Sequence, residues 1–436
     1  MTRIFLATMP ITTHVRPVLP IARELARRGH EVLWRCGRTF EEEITATGAS
    51  FTSIAPHVDF DENVAVLRTI DERKAGVPKF KSVILPAFVE SIPGHVKDIA
   101  PVLDDFRPDV VLADYSLLAA PVLAHARGIA TVLLAAGPLP LAGAGAPPPG
   151  AGLYPAASPL GRLRDRGLMW LVANVIFRDV HRALRRSLAG LGAPEVDAFF
   201  TNWPVRLADR YLVMTIPEFE YPHADLPSVV EFVGPALPET PEGWAPPAWW
   251  PDVERARAAG TPVVLLTQDG PTSDPATLLH PAVTALGGEN VLLLAATGDR
   301  APEDVLPAAR RPANLRLAPA LPPAEVLPLT DLTVTNGGYD SVQQSLAHGV
   351  PLVATGVCDN RTEANNRVRR SGAGVFLKTW KPGPKRLHAA VTEVLHDPRY
   401  RTAATRLRDS YTRHPGPRRA AEAVLDAAGA TPLAGG

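Results

Sequence analysis

The chain has 436 residues, in which 45 lysines and arginines balance 45 aspartates and glutamates. That length exceeds one ordinary hydrophobic core and predicts two domains. Neutral overall charge, with the arginines scattered, argues against a dedicated nucleic-acid binder, and two distant cysteines, Cys36 and Cys358, make no disulfide framework, so a reducing cytoplasm is the expected compartment.

The opening TRIFLATMP reads as a short strand with polar flanks and lacks the apolar h-region of a signal peptide. A helix is expected from about Pro17 to Arg28, with Val18, Leu19, Ile21, Ala22 and Leu25 along one face and Gly29 as its stop. The strand EVLWRC follows. His14, in MPITTHVRPVLP, falls between the first strand and that helix, at the strand's carboxyl edge. A lone histidine in a loop is more often structural than catalytic, but this position faces the place where such folds bind ligands.

DVVLAD and ATVLLAA are continuous apolar runs of the kind buried in parallel sheets, and the helix APVLAHARG separates them. Asp114, in VLADYS, ends the first of these runs; as a bare sequence feature it fits a helix cap equally well. A carboxylate on one imidazole nitrogen would fix the tautomer of His14 and support the charge it gains on taking a proton at the other, leaving a general base with a pKa close to working pH.

No charged residue occurs between Arg127 and Arg162, but Pro138, Pro140 and GAGAPPPGAG would break any membrane-spanning helix. No stable membrane insertion is expected. The apolar loop 137–157, with Leu139, and the helical run LMWLVANVIF, with Trp170 and Phe177, suggest a greasy wall for a large hydrophobic acceptor. The alternative is that LMWLVANVIF packs into the core, the usual fate of most residues of an apolar helix. A helical stretch is expected over RGLMWLVANVIFRDVHRALRRSLAGLG, then the strand RYLVMT.

FVGPALPETPEGWAPPAWWP reads as an interdomain linker. Beyond it PVVLLTQ, VLLLAAT, LRLAPA, LTVTN, PLVAT and GVFL are strands with helices between them, and helical sequence closes the chain from about Lys385 to Ala428. The expected division is 1–220, a linker at 221–250, 251–405, and a tail at 406–436 that crosses back to the first domain. The class is α/β: two Rossmann-like, doubly wound domains facing a central cleft.

In TNGGYDSVQQSLAHGVPLVATGVCDNRTEANNRV a strand runs into Gly337 and Gly338 and then into a helix whose Ser341 and Gln344 have capping-box spacing. Glycines allow close backbone approach, and a helix N-terminus presents positive potential, so a diphosphate suits this turn. A plain Gly-Gly turn into a capped helix accounts for the stretch equally well. The next strand ends near Asp359, Asn360 and Arg361, groups suited to hydroxyl-rich ligands, although a solvated polar loop reads the same way.

Those residues resemble the nucleotide-sugar signature of the inverting glycosyltransferases of the GT-B fold, family 1 type, particularly actinobacterial enzymes that decorate macrolides and polyketides. The first forty residues, the FVGPALP linker and the C-terminal helices fit as well. The resemblance implies transfer of a sugar from UDP or dTDP to a hydroxyl of a hydrophobic natural product, with no cofactor, no metal, and a monomer or homodimer. His14 and Asp114 would be the catalytic pair, and Gly337, Gly338, Ser341 and Asn336 would hold the diphosphate. Ala320 and Leu321 would meet the base, while Asp359, Asn360 and Arg361 would read the sugar.

The chain departs from the family pattern at four places, one being Asn360 and Arg361, which stand where the family usually has an aspartate-glutamine pair for the sugar hydroxyls. Asn336 replaces the usual histidine, Thr13 replaces the usual glycine before His14, and Gln268, Asp269, Gly270 and Pro271 replace a Gly-Ser or Gly-Thr turn; Gln268 is counted with the donor site. A nucleotide-sugar epimerase and a non-catalytic homologue are the rival readings.

Overall fold

Uninterrupted apolar runs such as VVLAD and VVLLT bury both faces, and so become central strands of parallel sheets covered by helices. The computed structural model describes residues 1–56, 58, 77–143, 146–156, 158–223, 225–268, 274–298, 300–357 and 361–429. It divides into two units, one of Met1–Ile216, Pro222–Ala236 and His414–Gly436, the other of Pro217–Tyr221 and Leu237–Arg413.

The first unit carries β1 (Arg3–Ala7), β2 (Glu31–Cys36), β3 (Ser50–Ser53), β4 (Val110–Asp114), β5 (Ala130–Ala135), β6 (Arg210–Val213) and β7 (Val230–Phe232). They form one parallel sheet in the order β3-β2-β1-β4-β5-β6-β7. Helices Ile92–Phe106, Ala119–Ala126 and Arg178–Leu188 pack one face through Ile99, Leu123 and Leu184, and helices Leu19–Arg27 and Gly416–Gly429 the other through Leu25 and Val424.

The second unit repeats the plan with β8 (Val263–Thr267), β9 (Leu292–Ala296), β10 (Leu315–Ala318), β11 (Leu332–Thr335), β12 (Leu352–Ala354) and β13 (Gly374–Phe376), in the parallel order β10-β9-β8-β11-β12-β13. Both sheets are doubly wound in the Rossmann manner.

Several elements differ from the sequence reading. The expected linker contains β7, whose Glu231 takes an ion pair from Arg419 at 2.8 Å; its few apolar residues, set among prolines, hid it. The closing helical sequence is three helices, Pro384–His396, Pro398–Thr412 and Gly416–Gly429. Pro398 cannot extend the preceding hydrogen-bond ladder but suits the start of a new helix, which Asp397 caps by accepting from the Arg399 amide at 3.0 Å. The chain returns to the first unit at His414 instead of 406. The expected helical stretch after residue 166 is a helix at Pro159–Leu171, a π turn at Val172–Ile176 and a helix at Arg178–Leu188.

Gly234, of FVGP, has φ +97°, and a Cβ there would stand 2.1 Å from the His414 carbonyl oxygen. Only glycine admits both that dihedral and that approach.

Within the second unit, Pro217–Tyr221 is anchored by a buried charge cluster. The Arg367 guanidinium bonds Glu220 and Glu363 and lies over the Tyr221 ring at 4.1 Å. Burial works against its charge, but the Glu220 carboxylate together with Tyr339 and Tyr221 outweighs this and the guanidinium pKa rises. Removing one partner of such a cluster strands the other, so Arg367→Met is expected to cost about 3–5 kcal/mol. That corresponds to a fall of roughly 6–20 °C in the melting midpoint of the unit, measurable by differential scanning calorimetry.

Candidate functional site

In both sheets the strand order reverses beside the first strand of the unit, between β1 and β4 and between β8 and β11. Loops leaving those carboxyl ends diverge to opposite faces and open a crevice there. The residues singled out from sequence fall largely at these points.

On the first unit, β1 and β4 pair through Ala7 and Ala113, which puts Asp114 one residue past the last pair. After β1 the chain forms a helical turn, Thr12–Val15, and a 3-10 turn, Arg16–Val18, before the helix Leu19–Arg27. The helical path thus begins earlier than Pro17, and His14 lies inside a turn whose amide donates to the Ile11 carbonyl at 2.8 Å. That turn directs His14 Nδ1 onto Asp114 Oδ2 in a hydrogen bond. Asp114 is 5% exposed and His14 22%, so the carboxylate is buried while the imidazole reaches the surface. With Nδ1 donating to the carboxylate, Nε2 is the basic nitrogen. Burial, and then the Asp114 charge, raises the pKa of Tyr115; Tyr211 is raised by burial, Tyr115 and Asp114.

On the second unit, β11 leads into Asn336, which is 5% exposed, and its amide donates to the Thr267 carbonyl at 3.3 Å. Gly337 has φ +86°, and a Cβ there would meet the Asn365 carboxamide at 2.2 Å. Asn365, buried in the helix Arg361–Ser371, donates through Nδ2 to the carbonyls of Thr355 and Gly356, tying the loop after β12 beneath the Gly-Gly turn. Sequence reasoning missed Asn365. Its one signal was an amide downstream of the cradle on the same helix as Arg361.

The helix Tyr339–Ala347 is capped by Gly338, with no side-chain bond. The capping box read from Ser341 and Gln344 is therefore absent, because helical geometry begins at Tyr339 and places Ser341 inside the first turn. There its hydroxyl donates to the Gly338 carbonyl at 3.1 Å and lies 3.3 Å from Thr335 Oγ1, which itself accepts from the Gly337 amide at 3.0 Å. The turn is thus braced from within, and the helix N-terminus directs its positive end to the carboxyl edge of the sheet.

Other donor-side residues scatter more widely. Gln268, just after β8, donates its amide to the Asp274 carbonyl at 2.6 Å and to Thr277 Oγ1 at 2.8 Å, so it braces its own loop. Ala320 is exposed and Leu321 buried, both just past β10. Arg361 begins its helix and lies 5.2 Å over the ring of Trp380, an exposed side chain beyond β13 that the sequence reading did not single out. Asp359, Asn360, Asp269, Gly270, Pro271 and Cys358 lie outside the described residues.

On the acceptor side, Leu139 and Phe177 do not line an open wall. Both are buried in the core of the first unit, where Phe177 packs edge-on against Phe199 at 6.0 Å. Apolar surface removed from water is the stronger drive for such residues. Trp170 is 63% exposed, and Leu160, Leu163, Leu171 and Val175 are exposed as well. The apolar surface therefore begins before the run LMWLVANVIF. Among the described residues no helix is long and apolar enough to cross a membrane.

Gly337→Ala would force a left-handed dihedral on alanine and a clash with Asn365, each a source of strain. The expected cost is at least about 2 kcal/mol, read as a lower denaturation midpoint, with the loop after β12 becoming more accessible to hydrogen exchange.

The C-terminal domain profile of the erythromycin biosynthesis protein CIII-like family matches residues 282–426. A 4'-demethylrebeccamycin synthase of Lentzea aerocolonigenes is 36% identical over 98% of this chain and 97% of its own. UDP-glycosyltransferase 2 of Phaeomoniella chlamydospora is 29% identical over 94% and 92%. Among solved structures, the calicheamicin glycosyltransferase CalG4 superposes with a TM-score of 0.73 at 23% identity, covering 98% of both chains. The two doubly wound sheets and these end-to-end likenesses establish the chain as a member of the GT-B glycosyltransferases of natural-product biosynthesis, an enzyme that transfers a sugar.

Proposed function

We propose that the enzyme is an inverting, metal-independent transferase that moves a sugar from a nucleoside diphosphate, UDP or dTDP, to a hydroxyl of a hydrophobic small molecule. The observation that carries this reading is the His14–Asp114 pair at the switch point of the first sheet. Asp114 holds Nδ1–H, and His14 Nε2 takes the proton of the acceptor hydroxyl as its oxygen attacks the anomeric carbon. A carbon–oxygen bond forms, the bond from that carbon to the diphosphate oxygen breaks, and the electron pair leaves with the nucleoside diphosphate. One base and one displacement invert the anomeric centre.

Gly337, Gly338, Ser341 and Asn336 are the proposed diphosphate site. Asn336 brings no positive charge, so the leaving group relies on backbone donors and the N-terminus of the helix Tyr339–Ala347. Ala320 and Leu321 are assigned to the base, and Asp359, Asn360 and Arg361 to the sugar. Trp170, with the exposed leucines around it, is the proposed apolar contact for the acceptor. We assign the enzyme to the cytoplasm, as a monomer or homodimer. An epimerase leaves that apolar surface without a purpose, and a non-catalytic homologue has no need of the paired base.

His14→Ala is expected to lower turnover by about two to four orders of magnitude with donor binding nearly intact. A steady-state assay paired with calorimetric titration of the nucleoside diphosphate checks this, and near wild-type turnover would sink the assignment. Activity should also survive exhaustive chelation; loss with EDTA, restored by magnesium or manganese, would reverse the metal-independent reading.

Asn360→Asp combined with Arg361→Gln should shift the ratio of catalytic efficiencies toward UDP-glucose over deoxysugar donors, since a buried polar group left unpaired penalises the wrong sugar. Unchanged ratios with weaker nucleotide affinity would reassign the cluster to phosphate.

A further inference from the structure

We infer that Ser116 is a positioning residue for the base: it fixes the Asp114 carboxylate so that one oxygen is reserved for His14. The inference rests on the proposed role of His14 and extends it to a residue outside the sequence-derived pair. Asp114 Oδ1 accepts twice from Ser116, from the amide at 2.9 Å and from Oγ at 3.0 Å, while Oδ2 accepts from His14 Nδ1. A carboxylate at a strand end can rotate about its last bond. Here the two Ser116 donors hold one oxygen and so set the orientation of the other.

The Ser116 oxygen also lies 3.5 Å from His14 Nδ1, close enough to contact both members of the pair without displacing either. The amide bond alone would complete an ordinary two-residue side-chain turn. The hydroxyl is the additional element. It places a second donor on a carboxylate that is 5% exposed, where a poorly oriented charge is costly.

The hydroxyl also moderates the carboxylate. Each donated bond withdraws charge from Asp114, so removing one strengthens its hold on the imidazolium and makes His14 more basic. Among the described residues, Tyr115 and Tyr211 also feel this carboxylate, and burial keeps both protonated.

The test uses the full chain, with UDP-glucose as donor and 4-methylumbelliferone as a phenolic probe acceptor. Long-range proton–nitrogen spectra follow the His14 ring independently of turnover, assigned by comparison with His14→Gln. Ser116→Ala should lower kcat about three- to tenfold with both KM values within about twofold, the size expected for one hydrogen bond acting through another group. The midpoint of the His14 titration, and the acid limb of the kcat profile, should move to higher pH. Ser116→Thr should restore both.

In the His14→Ala background the Ser116 change should have no further effect, because its action passes through the imidazole. Unchanged kcat and an unchanged His14 midpoint in Ser116→Ala would overturn the inference. So would a loss that threonine fails to restore and that comes with a lower melting temperature, which would mark Ser116 as purely structural. If His14→Ala itself keeps wild-type turnover, the base assignment fails first, and the spectra alone then report whether Ser116 orients the pair.

Discussion

The hydrogen bond between His14 and Asp114 depends on one constraint: parallel strands deliver all their carboxyl ends to the same edge. β1 and β4 are neighbours only because the sheet order places the fourth strand beside the first. Residues a hundred positions apart in sequence thereby meet at a crevice. The buried end of the pair is a carboxylate and the exposed end an imidazole, which is the order a base needs if it is to exchange a proton with a bound substrate.

The second unit applies the same constraint to a different chemistry. There Gly337 is held in a left-handed conformation over Asn365. The carboxamide of Asn365 fastens the loop after β12, so the turn after β11 and the helix Arg361–Ser371 form one braced edge. Donors that are fixed before a charge appears stabilise it most effectively, so in the proposed diphosphate site this internal bracing would favour the leaving group. Asn336 brings no positive charge to this edge, where the helix N-terminus supplies positive potential.

The chain crosses between the units at Ile216–Pro217, Tyr221–Pro222, Ala236–Leu237 and Arg413–His414. Each crossing is anchored locally by packing or charge. Gly234 lies against the His414 carbonyl in the first unit, and Glu220 is bound by Arg367 in the second. Such anchors hold each unit's borrowed segment in place whichever way the chain arrived there.

Much of this was legible in the sequence. Apolar runs announced nearly all the strands, glycines and proline marked where they stopped, and the alternation of strand and helix gave the doubly wound class. The positions of His14, Asp114 and the Gly-Gly turn followed from those strand ends. Local patterns are sufficient there because each depends on backbone geometry within a few residues. Tertiary structure decided what contact alone can decide. It buried Leu139 and Phe177, which look identical to surface apolar residues in a sequence, and exposed Leu160 and Leu163. It brought Asn365 beneath Gly337 and Ser116 onto Asp114, turned Gln268 back on its own loop, and made a strand of Val230–Phe232 by giving it a neighbour. Burial and partner choice are properties of the packed whole, so no local signal carries them.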